Sequence, residues 1–231
     1  MPKTGMRICA VIPAFNDQTT ISEVVEKTRR EIDHVLVVDD GSADETARFA
    51  QDAGAKVISV PKNSGKGNAL RIGFRYALAN NCDAIITLDS DLQHDPSEIP
   101  KFTQYYETSG CKIVIGARLH GREKMPRVRY ANNVVGKYTF SWLTGQSIED
   151  SQCGFRLYDR EVMQNIRILN DGFEAEADIL LRAGKRGYKI GFVPIKTIYF
   201  SNHQHQSYYR PVKDTFRISI IFLMNLFWKD R

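Results

Sequence analysis

Two carboxylates stand two residues apart in the stretch Leu-Asp-Ser-Asp-Leu-Gln-His-Asp-Pro, directly after a short apolar run. Asp89 and Asp91 follow residues 84–88, which are apolar and largely β-branched and therefore predict a buried strand. Past the end of a strand, both side chains can bend toward one point and share a hard divalent cation. Oxygen ligands suit Mg²⁺ or Mn²⁺, and a site with two carboxylates is completed by the phosphates of a substrate. For an isolated pair, the alternative is an aspartate-rich turn that binds nothing.

Charge and length set bounds on the class of protein. The chain has 231 residues, with 32 Lys and Arg against 27 Asp and Glu, a net charge of +5. This excess is too mild for a nucleic-acid-binding tail, so we expect no nucleic acid partner. It suits phosphorylated substrates or an anionic membrane surface. The length fits one large domain, or a domain with an appendage. Between residues 116 and 140, Glu123 stands against six basic residues: Arg118, Arg122, Lys124, Arg127, Arg129 and Lys137.

The cysteines and the apolar runs bear on the compartment. The four cysteines are far apart, lie in or beside apolar segments and lack metal-ligand spacing: Cys9, Cys82, Cys111 and Cys153. We therefore predict buried free thiols in a reducing compartment. The N-terminal apolar run is too short for a signal peptide, and residues 218–228 fall short of the ~20 residues that span a bilayer. The expected location is cytoplasmic, peripheral at the inner face of the membrane.

Strands and helices alternate along the first half of the chain, as expected for a mostly parallel α/β sheet covered by helices on both faces. The predicted strands are residues 7–12, 34–38, 56–60, 84–88, 112–115 and 189–194. The predicted helices are residues 19–32, 45–53, 67–80, 96–109, 161–168 and 175–185. Ligands of such sheets bind beyond the carboxyl ends of the strands. Six candidate residues fall at or just after strand ends and should meet at one edge: Pro13, Asp39, Asp40, Asp89, Asp91 and Arg118.

The last third of the chain is less regular. Residues 119–135 are expected to form a mobile basic loop that enters a helix. Residues 212–228 predict an amphipathic helix with one broad apolar face, flanked by cations such as Arg210 and Lys229. Such a helix suits an anionic lipid interface, on which it would lie without crossing the bilayer. The alternative is that it packs on the protein's own core or on a second subunit of a homodimer.

Six motifs, in this order and spacing, resemble glycosyltransferase family 2, in particular its branch of dolichyl- and polyprenyl-phosphate sugar synthases. The motifs are residues 11–17 (VIPAFND), 37–42 (VVDDGS), 63–67 (NSGKG), 89–94 (DSDLQH), 116–118 (GAR) and 150–156 (DSQCGFR). The resemblance covers residues 7–200. It implies a GT-A fold, with a catalytic domain at 1–200 and an acceptor-side loop and amphipathic helix at 201–231. It implies inverting, metal-dependent transfer from a GDP- or UDP-linked sugar to an acceptor, for this branch a polyprenyl or dolichyl phosphate.

The resemblance also implies roles for individual residues. Metal and diphosphate would be held by Asp89, Asp91 and Gln93. The nucleotide-sugar site would comprise Pro13, Phe15, Asp17, Val38, Asp40, Lys66, Ser90 and Arg118. Relatives usually carry Tyr and Glu where this chain has Phe15 and Asp17. Phe15 can still stack on a base or ribose, whereas Asp17 is one methylene shorter than Glu.

On the acceptor side, the resemblance assigns three catalytic candidates. Asp150 is expected to act as the base or to position the nucleophile. A lipid phosphate is already an anion and needs no base, in which case Arg156 is a candidate to hold it. The alternative is an Asp150–Arg156 ion pair that shapes the loop. Glu176, together with Glu174, is an alternative base.

The chain departs from the lipid-phosphate mannose synthases after the last predicted strand. Asn202 and Tyr208 stand where those enzymes have Arg and Lys, and the His203-x-His205 spacing could bind a metal. Three alternatives follow for the function: transfer to a saccharide or protein acceptor, a nucleotidyltransferase, or a non-catalytic nucleotide-sugar binding module. A nucleotidyltransferase normally begins with a Gly-rich basic loop after its first strand, which residues 13–16 do not provide. The complete acidic set argues against a binding module.

Overall fold

The fold is that of a computed structural model, which describes residues 5–118, 127–196 and 198, without the side chains of residues 127–133 and 135. The described strands are β1 (Ile8–Ala14), β2 (His34–Asp39), β3 (Lys56–Ser59), β4 (Ala84–Thr87), β5 (Ile113–Ala117), β6 (Arg156–Asp159) and β7 (Ile190–Pro194). The described helices are α1 (Ile21–Arg29), α2 (Thr46–Asp52), α3 (Lys66–Ala79), α4 (Ile99–Ser109), α5 (Arg127–Thr144), α6 (Arg160–Asn165) and α7 (Glu174–Lys185), and a 3-10 turn (Pro96–Glu98) leads into α4.

The strands form one seven-stranded sheet in the order β3-β2-β1-β4-β6-β5-β7. β1 pairs in parallel with β2 and β4, β2 with β3, and β5 with β7. The predicted α/β class with a mostly parallel sheet is therefore confirmed. The strands inside the sheet are almost wholly buried because helices cover both faces, which is why they carry continuous apolar runs rather than alternating patterns. The edge strand β3 is only partly buried.

β6 is a strand that the sequence pattern did not predict, and α5 begins at Arg127, within the range 119–135 that was expected to form a loop. β6 runs antiparallel to both of its neighbours, β4 and β5. Its four residues, Arg-Leu-Tyr-Asp, are buried but carry a charge at each end, so they offer no apolar run. By pairing with β4 and β5, β6 brings residues 150–155, which precede it, to the carboxyl ends of those strands.

The prediction of four free thiols is wrong for two of them. Cys9 of β1 and Cys82, just before β4, form a disulfide bond, with Cα atoms 6.3 Å apart across a sequence separation of 73 residues. β1 and β4 are paired neighbours in the sheet, and this pairing, which spacing along the chain cannot reveal, brings the two cysteines together. Cys111 and Cys153 are free and buried, as predicted.

Several predictions lie outside the described residues. They concern residues 119–126 of the basic loop, the loop with Asn202, His203, His205 and Tyr208, and the amphipathic helix at 212–228. Within the part of the chain that the structure describes, no helix is both long and apolar enough to cross a membrane.

Candidate active site

Parallel pairing brings the predicted residues to one edge of the sheet. Pro13 of β1 lies opposite Val38 of β2, and Ala14 lies opposite Asp39. β4 lies on the other side of β1 and ends at Thr87, so the loop that carries Asp89 and Asp91 starts at the same edge. Arg118 directly follows β5, which is separated from β4 by β6 in the sheet. The convergence inferred from the strand ends is thus present in the structure.

Asp17 joins the loop after β1 to the loop after β4. Its Oδ2 accepts hydrogen bonds from the backbone amide of Phe15 at 3.0 Å and from the hydroxyl of Ser90 at 2.6 Å. Burial raises the pKa of the Asp17 carboxyl, although these hydrogen bonds oppose the rise. Three of the predicted nucleotide-sugar residues therefore form one hydrogen-bonded group.

The neighbouring carboxylates Asp39 and Asp40 bind backbone amides. Asp39 Oδ1 accepts from the amide of Ser42 at 3.1 Å, which closes the turn after β2. The two oxygens of Asp40 accept from the amides of Ser64 at 3.0 Å and Gly65 at 2.6 Å. Burial raises the pKa of Asp40, and the two amide contacts counteract it. Asp40 thereby fixes the start of α3, the helix that begins at Lys66.

Lys66 is the cation at the centre of the edge. Its Nζ lies 2.6 Å from Asp89 Oδ1 and 3.0 Å from Glu176 Oε2, and 5.9 Å from the centre of the Phe173 ring. Burial by itself would lower the pKa of Lys66, but the two carboxylates raise it above its usual value. The ion pairs of Lys66 with Asp89 and Glu176 join α3, the loop after β4 and the start of α7. Lys66 is thus held by carboxylates, and not solvated as a lysine on a simple capped turn would be.

Gly154 makes room for this ion pair. A Cβ atom at Gly154 would lie 2.7 Å from both Lys66 Nζ and Asp89 Oδ2, closer than side-chain carbons approach other atoms. The glycine of the Asp-Ser-Gln-Cys-Gly-Phe-Arg motif is therefore a requirement of the site. Sequence reasoning gave no role to Gly154 or Phe173. A glycine inside a charged motif is the signal that could have pointed to the first.

Asp89 and Asp91 are close enough to interact electrostatically. Burial and the charge of Asp89 raise the pKa of Asp91 to about 6. For Asp89, burial would raise the pKa, but the charge of Lys66 outweighs it and the pKa is lowered. Asp91 Oδ1 accepts the amide of Gln93 at 3.0 Å, across a turn in which Leu92 adopts a left-handed conformation with φ of 62°.

The residues of this turn fit a divalent cation that arrives with its other ligands. In the described part of the chain, no group of three or more His, Cys, Asp or Glu side chains is arranged to hold a metal. Two repelling carboxylates and the carbonyl oxygen of an amide side chain offer hard oxygen donors, which suit Mg²⁺ or Mn²⁺. A cation at Asp89 and Asp91 would relieve the repulsion that raises the pKa of Asp91. Such a site needs substrate oxygens to complete it.

His94 supports the loop from behind and is not a ligand candidate. The amide of Asp89 donates to its Nδ1 at 3.3 Å, which leaves the ring proton on Nε2, 3.8 Å from Cys153 Sγ. Burial lowers the pKa of His94 to about 4, so the ring is neutral at physiological pH. Burial likewise raises the pKa of the Cys153 thiol to about 12. The ring of His94 packs against that of Phe155, and its contact with the amide of Asp89 supports the loop.

Arg118 and Asp150 form a buried bidentate ion pair. Arg118 Nε donates to Asp150 Oδ2 at 2.6 Å and a terminal nitrogen donates to Oδ1 at 2.8 Å. Oδ1 also accepts the amides of Gln152 and Cys153. Burial would raise the pKa of Asp150, but Arg118 and the amide of Gln152 lower it. The alternative of an Asp150–Arg156 pair is wrong, since Arg118 takes that position. An ionised carboxylate with a lowered pKa is a weak base, so its place in the structure is to orient Arg118.

Arg156 lies in the interior, fully buried. Its three donor nitrogens bind backbone carbonyls: Nε that of Cys153 at 2.6 Å, and the terminal nitrogens those of Glu176 at 2.9 Å and Ser151 at 2.8 Å. The guanidinium therefore ties the 150–155 loop to the start of α7, and its complete burial keeps it out of contact with an acceptor phosphate. Glu176, the alternative base, is paired with Lys66 as described above.

Comparisons with known proteins agree with this architecture. The family described as Glycosyl transferase family 2 matches residues 9–167. A dolichyl-phosphate hexose transferase of Haloferax volcanii is 32% identical, over 81% of this chain and 81% of its own. A UDP-N-acetylglucosamine–dolichyl-phosphate N-acetylglucosaminyltransferase of Methanococcus voltae is 28% identical, over 83% of this chain and 86% of its own. Glucosyl-3-phosphoglycerate synthase of Mycobacterium tuberculosis, solved with Mn²⁺, UDP and phosphoglyceric acid, superimposes with a TM-score of 0.77 at 23% identity, over 99% of this chain and 81% of its own.

Proposed function

The chain belongs to glycosyltransferase family 2, and from that premise we propose that it moves a hexose from a GDP- or UDP-linked donor to the phosphate of a polyprenyl or dolichyl lipid, with inversion at the sugar carbon. The lipid acceptor is supported by the relatives that share most of the chain, two of which are named as dolichyl-phosphate sugar transferases. The neighbour crystallised with Mn²⁺ and UDP supports the use of a divalent metal with a nucleotide donor.

The observation that carries the proposal is the pair Asp89 and Asp91 at the carboxyl edge of the sheet, with a raised pKa at Asp91. We assign Asp89, Asp91 and Gln93 to the metal and the donor diphosphate. When bound, Mg²⁺ or Mn²⁺ supplies the charge that offsets the negative charge developing on the leaving nucleoside diphosphate. Lys66 adds a fixed positive charge beside Asp89, because Asp40 holds the start of its helix.

The nucleoside is proposed to bind along the ends of β1 and β2. Pro13 and Val38 lie side by side there, and Phe15 and Asp17 follow β1. Asp17 is held by the hydroxyl of Ser90, so the nucleoside and metal loops are coupled through one carboxylate. The phenyl ring of Phe15 provides a stacking surface for a base or ribose.

On the acceptor side, the lipid phosphate is the nucleophile and carries its own negative charge. A phosphate oxygen forms the new bond to the sugar carbon while the bond from that carbon to the donor diphosphate breaks, and the electron pair leaves with the nucleoside diphosphate. We propose that Arg118, which the resemblance places in the nucleotide-sugar site, instead attracts the acceptor phosphate, and that Asp150 and Arg156 act as positioning residues. Asp150 fixes the guanidinium plane of Arg118, and Arg156 fixes the loop that carries Asp150. A lipid acceptor places the enzyme at the inner face of the membrane.

Identifying the released nucleotide tests the proposal. The purified chain is incubated with a panel of GDP- and UDP-sugars, Mg²⁺ or Mn²⁺, and either a short-chain polyprenyl phosphate or a saccharide. We expect nucleotide release with one donor, dependent on the metal and on the polyprenyl phosphate, and a glycosylated lipid phosphate as product. Release that requires a saccharide acceptor would instead support transfer in polysaccharide synthesis. Donor binding without any turnover would support a binding module.

A further inference from the structure

Two loops at the carboxyl edge of the sheet are joined by side chains of both. They are residues 15–18, after β1, and residues 42–46, after β2. The backbone amide of Asn16 donates to Ser42 Oγ at 2.9 Å, and Asn16 Oδ1 accepts from the amide of Ala43 at 2.8 Å. Asn16 therefore binds the second loop through both its main chain and its side chain.

The backbone of Asn16 is in the left-handed region, with φ of 54°. Asparagine tolerates this region better than most residues that carry a Cβ atom. The turn lies between Phe15 and Asp17, and the amide of Phe15 donates to Asp17 Oδ2 across it at 3.0 Å. The contacts of Asn16 with the 42–46 loop hold this turn in place, and with it the two residues that we assign to the nucleoside.

Thr46 fixes the other end of the same turn. It is fully buried at the start of α2, and its Oγ1 accepts from the amide of Asp17 at 2.8 Å. Its hydroxyl donates to Asp44 Oδ1, which also accepts the amide of Thr46 at 3.0 Å. Because the carboxylate of Asp17 binds the hydroxyl of Ser90, a continuous series of hydrogen-bonded residues runs from Asp44 to the loop after β4.

From these contacts we propose that Asn16 and Thr46 are positioning residues for the nucleoside of the donor. They act through Phe15 and Asp17, by holding the 15–18 loop in its binding conformation before the nucleotide arrives. A loop that is ordered in advance loses less conformational entropy on binding, so these contacts raise the affinity without touching the ligand. This role rests on the proposed function in one respect, that a nucleoside binds at the ends of β1 and β2.

Two asparagines with the same backbone conformation provide a matched pair of variants. Asn81 also has φ of 54°, but it lies between α3 and β4, before the amino end of that strand. We expect Asn16→Ala to weaken the binding of UDP or GDP, measured by calorimetry with Mn²⁺, by about tenfold, and Asn81→Ala to leave it unchanged. Both variants place alanine in the same unfavourable backbone region, so a general effect of strain is common to the two. Asn16→Gly, which adopts this conformation readily, removes only the side-chain contact and should weaken binding by a similar factor.

Two buried threonines provide a second matched pair. Thr28 is fully buried in α1 and donates its hydroxyl to the carbonyl of Val24 within the helix at 2.7 Å. We expect Thr46→Val to weaken nucleotide binding by about tenfold, because the amide of Asp17 loses its acceptor, and Thr28→Val to leave the affinity unchanged. Thr46→Ser keeps the hydroxyl and should restore the affinity of wild type, which loss of packing alone would not explain.

Steady-state kinetics separate positioning of the nucleoside from an effect on the chemical step. At saturating donor, the turnover of Asn16→Ala and Thr46→Val should approach that of wild type, because only the KM for the donor is raised. The positioning role is overturned if both variants bind the nucleotide as wild type does, or if turnover at saturating donor falls while KM is unchanged. A wild-type protein that binds neither UDP nor GDP overturns both this role and the proposed function. If the variants lose affinity as expected but no lipid phosphate is glycosylated, the positioning role stands and the proposed acceptor is wrong.

Discussion

The two sides of the strand-end edge differ in how far their charges are already satisfied. We call the residues nearest β1 and β4 the donor-side cluster, and those nearest β5 and β6 the acceptor-side cluster. The donor-side cluster is Asp17, Lys66, Asp89 and Asp91, and the acceptor-side cluster is Arg118, Asp150 and Arg156. In the donor-side cluster, carboxylates outnumber cations, and two of them repel each other. In the acceptor-side cluster, each charge already has an internal partner.

Asp91 and Asp150, one carboxylate from each cluster, have opposite pKa shifts, whereas Lys66 lowers the pKa of its ion-pair partner Asp89. The pKa of Asp91 is raised to about 6 by burial and by its neighbour Asp89, so its charge lacks a sufficient counter-charge. The pKa of Asp150 is lowered because Arg118 outweighs the effect of burial. A cluster with excess negative charge is stabilised by a bound cation. A cluster whose charges are paired keeps its structure without a ligand. We therefore propose that the donor-side cluster binds a metal with its substrate, and that the acceptor-side cluster positions Arg118.

The largest effect should come from removing one donor-side charge. We expect Asp91→Asn to lower turnover by about a thousandfold while the fold is retained, because the variant loses a ligand of the metal whose charge stabilises the leaving diphosphate. Isothermal titration with Mn²⁺ and nucleoside diphosphate should show the same variant losing metal affinity. Asp95→Asn is the matched control, since Asp95 caps the 3-10 turn and lies outside the cluster. Full turnover of Asp91→Asn in EDTA would remove the metal assignment.

On the acceptor side, Asp150→Asn should act on stability as well as on chemistry. The amide keeps one acceptor oxygen but loses the charge that Arg118 faces, so we expect the free energy of unfolding to fall by about 2–3 kcal/mol. Turnover should fall while the affinity for nucleoside diphosphate, measured by calorimetry, is retained. A loss of donor affinity that parallels the loss of turnover would place Asp150 in the donor-side cluster and break the comparison.

The sequence predicted most of the donor side because its signals are local. Each donor-side residue follows an apolar run that marks a strand or precedes a helical pattern, so parallel pairing alone brings Asp17, Asp89 and Lys66 to one edge. What it could not supply was the charge partners. Lys66 binds Asp89 and Glu176. Glu176 lies in α7, which begins more than a hundred residues after Lys66, so the sequence pattern does not show this contact.

The acceptor-side cluster was harder to predict from the sequence, because its partners are also distant along the chain. β6 is too short and too polar to be recognised as a strand from the sequence. Without β6, the position of the 150–155 loop cannot be predicted. The sequence therefore offers Arg156, six residues away, as the alternative partner of Asp150, whereas the structure pairs Asp150 with Arg118 from the end of β5. The Cys9–Cys82 disulfide was missed likewise, because only the pairing of β1 with β4 brings these residues together.

A smaller effect is expected from Arg156→Lys. The single ammonium group cannot reach all three carbonyls that the guanidinium binds, and leaving buried carbonyls unpaired should lower the free energy of unfolding by about 1–2 kcal/mol. Denaturant titration measures this change. With excess donor, turnover should fall only to the extent that the weaker contacts of the lysine let the 150–155 loop move. Arg160→Lys is the control, because Arg160 binds one carbonyl, that of Cys82, far from the site. Abolished acceptor binding in a fully stable Arg156→Lys variant would instead make Arg156 a phosphate ligand.

The smallest effect has a sign that distinguishes the two clusters. Burial and Asp89 raise the pKa of Asp91 from 3.8 to about 6 in the folded protein. Between these two pH values the folded state holds more protons than the unfolded state, so the free energy of unfolding falls as the pH rises through this window. Without metal at pH 7, Asp91→Asn should therefore be more stable than wild type, by on the order of 1 kcal/mol, and the gain should vanish below pH 4. Asp150→Asn should be destabilised at the same pH, because the folded pKa of Asp150 lies below its unfolded value.

Thermal melts from pH 4 to 8 in EDTA measure the stability of both variants. Adding Mn²⁺ with nucleoside diphosphate should stabilise wild type and leave Asp91→Asn nearly unmoved, which reverses their order. If Asp91→Asn is the less stable protein in EDTA at pH 7, the charge of Asp91 already has a partner and the donor side is not under-compensated.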